Sequence, residues 1–308
     1  MDRHLVDLDD ISPGELRGLL RLARNVKENP DRFSGLLKGK ELAMIFQKTS
    51  TRTRVSFEAG MHRLGGNAIY LDWQTTNFTR ASLEDEVRSL CRYVDVIMAR
   101  VFTHADVVAM AEAATVPVIN GLSDLAHPCQ ALGDMLTIGE RFEDLSTITV
   151  AFIGDGNNNV VRSLVKVCSM LAVPLRVIAP EGFQPGADMD SWLEARNATR
   201  LVTTTRDVQA GVRGVDVLYT DAHVSMGQEK DEARRHEVLM PYKLTMDVLR
   251  ATGKDSLVMH CLPAHRGVEI APEVLDSPAS IVFDQAENRM HAQNALLLWL
   301  LGACELEP

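Results

Sequence analysis

Residues 42–64 hold the feature that most constrains this chain: an apolar run, a knot of hydroxyls and guanidiniums, then an apolar helical pattern. Leu42-Ala43-Met44-Ile45-Phe46 reads as a buried strand. Val55, Phe57, Met61 and Leu64 recur at helical spacing. Between them stands Ser50-Thr51-Arg52-Thr53-Arg54. The polar cluster therefore falls where a strand turns into a helix. A helix N-terminus presents unpaired N–H groups and about half a positive charge. Three hydroxyls and two forked guanidiniums exceed what one cap uses, and the place suits a phosphate or similar anion.

The same alternation continues along the chain. Short apolar segments at 68–71, 94–99 and 116–119 are separated by helical patterns at 82–93 and 105–114. A second series begins near residue 147. Its strands are expected at 147–153, 175–179, 215–220, 257–260 and 281–283, with a helix at 160–171. Ser12-Pro13-Gly14-Glu15 opens an N-terminal helix with cap, first-turn proline and an acid three after the cap. Residues 136–146 read as a polar, helical hinge. Strand–helix alternation argues for parallel sheets covered on both faces. The expected fold is α/β, two doubly wound parallel-sheet domains with the active site in the cleft between them. The expected domains are residues 1–140 and 141–290, with a C-terminal helix, 291–308, packing back on the first.

At 308 residues the chain is long enough for two cores. A formal net charge of −10 argues against nucleic acid or an anionic membrane as partner. It also means that an anionic substrate needs a local cationic pocket. The five cysteines are odd in number and contain no CxxC pair, so they read as reduced cytoplasmic thiols. The longest apolar run, 295–304, is about half a membrane span. The N-terminal residues lack the apolar core of a signal peptide. Nine histidines show no paired-ligand spacing, so no metal is expected.

Ligands of open parallel sheets sit beyond the carboxyl ends of strands, so residues just after each strand carry the chemistry. These are Arg100, His127-Pro128-Cys129-Gln130, Gly154-Asp155-Gly156-Asn157-Asn158-Asn159, Asp221 with Ser225-Met226-Gly227, His260-Cys261-Leu262-Pro263, and 284–289 with Arg289. Gly154-x-Gly156 starts a dinucleotide fingerprint, but Asn159 replaces the third glycine and spoils the usual pyrophosphate packing. Gly35 to Lys40 mimics a P-loop, yet its spacing is one short and a strand follows. Asp221 could hold an ammonium. Cys261 could be an activated thiol or a buried inert one.

Assembled in this order, these segments resemble the aspartate/ornithine carbamoyltransferase family nearly end to end. The Ser225-Met226-Gly227 and His260–Pro263 elements look like its ornithine branch. The resemblance implies carbamoyl transfer from carbamoyl phosphate to the side-chain amine of L-ornithine, giving citrulline, with no cofactor because the substrate is already activated. It implies that Ser50, Thr51, Arg52, Thr53 and Arg100 hold the phosphate. Thr53, Arg100 and His127 would hold the carbonyl oxygen; Gln130, the Cys261–Leu262 backbone and Arg289 would hold the amide. Asn159, Asp221, Ser225 and Met226 would grip ornithine, with Asp221 and Cys261 steering its amine. The implied catalytic set is Arg52, Arg100, His127, Asp221 and Cys261. Domain closure would exclude water. The resemblance also implies a homotrimer, or an assembly of trimers, in which Gln74 or Asn77 of the 73–79 loop reaches a neighbouring subunit's phosphate. Where the family usually has tryptophan two residues after the acid, this chain has His223. Other amines, such as putrescine, and a nicotinamide oxidoreductase using Gly154–Asn159 are the competing expectations.

Overall fold

The computed structural model describes residues 3–224 and 231–307. It falls into two compact units: Met1–Leu136 together with Glu287–Pro308, and Thr137–Ala286.

The first unit contains four parallel strands: β1 (Glu41–Phe46), β2 (Asn67–Asp72), β3 (Val96–Arg100) and β4 (Val118–Leu122). Their order in the sheet is β2-β1-β3-β4. β3 and β4 are buried throughout, and β1 is buried after Glu41. Strands covered on both faces read as unbroken apolar runs, which is why β1 was legible. Chain order reverses between β1 and β3. A crevice therefore opens beyond their carboxyl ends, where Ser50–Arg54 and Arg100 stand.

Ser50 caps the helix Thr51–Arg63, its side chain accepting from Thr53 N–H. Phe57, Met61 and Leu64 are buried as the spacing predicts, but Val55 is 54% exposed. Gly60 takes part in the buried stripe instead. A Cβ there would lie 2.1 Å from Asn294 Oδ1, so the helix Val282–Leu300 packs close against it. Ser12 and Glu15 form the expected capping box of the helix Pro13–Glu28.

The second unit contains β5 (Val150–Ile153), β6 (Leu175–Ile178), β7 (Val202–Thr205), β8 (Val217–Thr220) and β9 (Leu257–His260). All are parallel, in the order β7-β6-β5-β8-β9. The reversal lies between β5 and β8. It places the Gly154–Asn159 turn and Asp221 side by side. Strands and core are continuous: Ile153, Leu218, Val258 and Val282 belong to one buried cluster.

Three expectations fail. Residues 281–283 form no strand; Val282 begins the helix Val282–Leu300. Only Ser280 bridges to Val258 of β9, flanked by Val258 N–H to Ala279 O and Ile281 N–H to Val258 O. The β-rich triplet thus marks where the sheet edge ends, not a strand. β7 was missed because Val-Thr-Thr-Thr is a half-exposed edge strand with no apolar run. The expected 136–146 helix stops at Gly139, the end of Pro128–Gly139, and a 3-10 turn at Leu145–Thr147 replaces the start of the expected 147–153 strand. Among the described residues, no helix is long and apolar enough to cross a membrane.

Gly65 follows the Thr51–Arg63 helix at φ +86°, and a Cβ would come within 2.6 Å of Gly35 Cα. Gly253 has a similar φ, +70°, but open space around it. Gly65→Ala should therefore destabilise the fold by about 2 kcal/mol or more beyond the ~1 kcal/mol expected of Gly253→Ala. Urea melts of the two variants check this. Equal losses would show that the Gly35–Gly65 approach carries no constraint.

Candidate active site

In the first unit, four elements bring cationic and hydroxyl groups to one corner. The helix Thr51–Arg63 supplies Arg52 and Thr53, β3 ends on Arg100, the helix Pro128–Gly139 follows His127, and the helix Val282–Leu300 carries Arg289. Ser50 Oγ donates to Thr53 Oγ1 at 3.1 Å, and Arg289 Nη2 donates to the same hydroxyl at 2.9 Å. Thr53, Arg100, His127 and Arg289 are all buried. Gly133 admits the arginine: a Cβ there would sit 3.0 Å from Arg289 Cγ.

Burial holds the His127 imidazole well below its usual range, and the Arg289, Arg100 and Arg52 guanidiniums push it down further. His127 is therefore a neutral ring at neutral pH, facing three fixed positive charges. Cys129 beside it donates to Asn120 O, and burial lifts its thiol to about 12. It is an inert packing group. Gln130 is buried, with Nε2 donating to Asp134 Oδ1 at 2.8 Å.

Arg54 does not join the corner. Its guanidinium lies 4.1 Å over the Tyr70 ring, and its Nε pairs with Glu58 at 3.0 Å. The opening motif therefore gives one guanidinium to the site rather than two. Thr51 is exposed and Ser50 half-buried. Gln74 and Asn77 are exposed on two successive 3-10 turns, Trp73–Thr75 and Asn77–Thr79, braced by a Trp73–Phe78 ring stack at 5.0 Å.

In the second unit, Asp221 stands just after β8 and Cys261 just after β9. Cys261 Sγ donates to Asp221 Oδ1 at 2.9 Å, and Asn158 Nδ2 donates to Asp221 Oδ2 at 3.3 Å. Asn158 caps the helix Asn159–Met170, accepting from Val161 N–H, and Asn159 is that helix's first residue. Ser225 and Met226 lie outside the described residues. Leu262 has a left-handed backbone, φ +59°, and its N–H donates to His260 Nδ1 at 2.9 Å. That bond fixes the tautomer: Nε2 carries the proton and donates to Glu269 at 3.0 Å. Both His260 and Glu269 are wholly buried. Burial alone would raise the Glu269 carboxyl; bonds from His260 and the His265 N–H outweigh it and hold it below its usual range.

Asp221, His260 and Cys261 bring ligand atoms within 4.8 Å of one another. Both His260 nitrogens are already engaged, however, so the trio offers a cation only an acid and a thiol.

Sequence reasoning passed over Arg235 and Glu269. Arg235 ion-pairs with the buried Asp155 and donates to His223 O at 2.9 Å. Burial still raises the Asp155 carboxyl despite that guanidinium. Nothing in sequence links residues 80 apart, whereas Asn158 lay inside the triple asparagine and carried its own signal.

Fold and site define a two-unit α/β protein, with one unit gathering guanidiniums and hydroxyls and the other presenting an acid and a thiol. The carbamoyl-P binding domain of aspartate/ornithine carbamoyltransferases matches residues 3–140, and their Asp/Orn binding domain matches residues 146–300. An ornithine carbamoyltransferase of Pyrococcus abyssi is 45% identical over 305 residues, covering 97% of this chain and 96% of that protein. A catabolic one of Halobacterium salinarum is 44% identical, covering 97% and 99%. The solved ornithine carbamoyltransferase of Pyrococcus furiosus superposes with a TM-score of 0.93 at 44% identity, covering 99% and 98%. The chain belongs to the aspartate/ornithine carbamoyltransferase family.

His223, at the family's tryptophan position, is fully buried, and neither ring nitrogen has a partner among the described residues. Burial depresses it to about 4 from its ordinary 6.5. The unfolded chain therefore takes up this proton first as pH falls. Stability contributed by the neutral ring is complete above about pH 6.5 and is lost progressively toward pH 4. His223→Phe should make the fall in unfolding free energy between pH 6.5 and 4 shallower, by on the order of 2 kcal/mol across the window. Chemical denaturation at stepped pH checks this; an unchanged slope would mean that His223 stays solvated.

Proposed function

We propose that this enzyme transfers the carbamoyl group of carbamoyl phosphate to the side-chain amine of L-ornithine, giving L-citrulline and phosphate. The observation that carries the reading is the convergence of Arg52, Arg100 and Arg289 on the buried neutral His127, with Thr53 tied to Arg289. A dianion is the ligand that such a cluster of guanidiniums and hydroxyls suits. Kinship with ornithine carbamoyltransferases supports the choice of phosphate donor and amine acceptor.

Ser50, Thr51, Arg52, Thr53 and Arg100 take the phosphate, with the helix N-terminus behind them. Thr53, Arg100 and His127 take the carbonyl oxygen. A neutral imidazole suits this role because it donates one N–H without adding a fourth positive charge. Gln130 and Arg289 take the carbamoyl amide, Gln130 at its NH2 and Arg289, which only donates, at its oxygen. The amine of ornithine must lose its proton to expose a lone pair, and it then attacks the carbonyl carbon. Negative charge builds on the carbonyl oxygen, the C–O bond to phosphate breaks, and the amine's surplus proton leaves with phosphate. Donors fixed in advance around that oxygen contribute about 3–4 kcal/mol each.

Asp221 and Cys261 orient the attacking nitrogen. Its N–H bonds point at the carboxylate and the sulfur, so its lone pair points elsewhere. Asn159, Asp221, Ser225 and Met226 grip the amino-acid end. The proposal extends to a cytoplasmic homotrimer in which the braced 73–79 loop lends Gln74 or Asn77 to a neighbouring copy. Exposure of both side chains and five free thiols support it.

Purified protein with carbamoyl phosphate and a panel of amines should form ureido product with ornithine and far less with putrescine or an acylated ornithine. Turnover of putrescine but not ornithine would overturn the acceptor. Arg52→Ala should lower kcat/KM by about a hundredfold or more while the circular dichroism spectrum is retained. Undiminished turnover would remove Arg52 from the phosphate.

A further inference from the structure

We infer that Asp134 is a positioning residue that makes the site selective for a carbamoyl group. The inference rests on the reading that Gln130 meets the carbamoyl amide. Gln130 and Asp134 lie four residues apart on the helix Pro128–Gly139, where such side chains face each other. Both are 1% exposed. Gln130 Nε2 donates to Asp134 Oδ1 at 2.8 Å, while Gln130 Oε1 is buried with no partner among the described residues.

The chemistry of the pair removes the ambiguity of an amide's two ends. A carboxylate offers only acceptors, so it takes the NH2 end of Gln130 and repels the oxygen. The oxygen is thereby the group left for a ligand. A lone buried acceptor is unfavourable until a donor reaches it. A carbamoyl group brings such a donor, its own NH2. An acyl phosphate with methyl in that position does not. The phosphate cannot supply this discrimination, because both ligands carry it. Asp134 thus acts through Gln130 and touches no reacting atom.

Two phosphonates isolate the effect, phosphonoacetamide and acetonylphosphonate, which differ only in NH2 against CH3. Binding to the full-length protein is measured by calorimetry, with inorganic phosphate as control. The unaltered protein should prefer the amide about tenfold. Asp134→Asn lets Gln130 flip, because asparagine offers both donor and acceptor. The preference should fall below about threefold, with phosphate affinity held within about twofold. Gln130→Met should abolish the preference likewise. If the unaltered protein shows no preference, the assignment of Gln130 to the amide falls, and this inference with it. If Gln130→Met loses the preference and Asp134→Asn keeps it, the positioning role alone is overturned. Cooperative melting and retained phosphate binding certify each variant. Asp134→Ser is the second variant, judged by the same ratio, should Asp134→Asn not fold.

Discussion

Crowding of like charge is the constraint on which the first unit is built. Three guanidiniums face one another around His127, in a chain whose overall charge is −10. At short range and away from bulk water, like charges repel far more strongly than they do in solvent. No local segment could hold it. The corner exists because β1 and β3 are neighbours buried on both faces, and because residues from Glu287 onward belong to the first unit and bring Arg289 to Thr53. The framework keeps cations together where solvent would otherwise scatter them. The contrast with Arg54 makes the point. Two residues from Arg52 but on the open side of the helix, it settles on Tyr70 and Glu58.

Both units place their chemistry by the same topological device. In each sheet the strand order reverses once, between β1 and β3 and between β5 and β8. Helices leave the two strands at a reversal in opposite directions, so nothing covers the carboxyl ends there. Ser50–Arg54 and Arg100 occupy one such gap, and Gly154–Asn159 and Asp221 occupy the other. Gly156 shows how tight the second turn is: a Cβ would meet Val177 Cγ1 at 2.6 Å. Gly156 there serves close packing and Gly154 a positive φ of +131°, while the third position, Asn159, opens a helix whose cap, Asn158, reaches Asp221. A glycine pair that began like a dinucleotide fingerprint therefore ends in a polar wall.

What the sequence disclosed follows from what local pattern can encode. Strands buried on both faces announce themselves, and β1, β3 and β8 were legible for that reason. Post-strand polar residues could then be placed on one edge without knowing a distance. Short or edge segments defeat the same logic. Ile281-Val282-Phe283 has strand composition, yet three residues cannot separate period two from the first turn of a helix. Val202–Thr205 lies at the sheet edge and has no apolar run to betray it. Within the site, the residues named from motifs were those next to strands. Arg235 and Glu269 escaped because their partners, Asp155 and His260, are chosen by tertiary packing. Val55 shows the converse: it stands two residues before Phe57, off the stripe of Phe57, Met61 and Leu64, and so faces solvent.

The two units treat charge in opposite ways, and this separates their roles. Arg235 supplies a guanidinium to the second unit's site. It ion-pairs with Asp155, which is deeply buried and would otherwise be an uncompensated charge. Among the described residues, Asp221 receives only neutral donors: the Cys261 thiol, the Asn158 amide and the Ala222 N–H. Neutral donors orient a carboxylate without cancelling its charge, which is what the proposed action of Asp221 on an amine requires. His260, next to Cys261, has its two nitrogens divided between Leu262 and Glu269. Neither nitrogen is left to compete with an amine for Asp221. Under the proposed reaction, the cationic corner turns its charges toward an anion. The acidic one needs its surroundings silent.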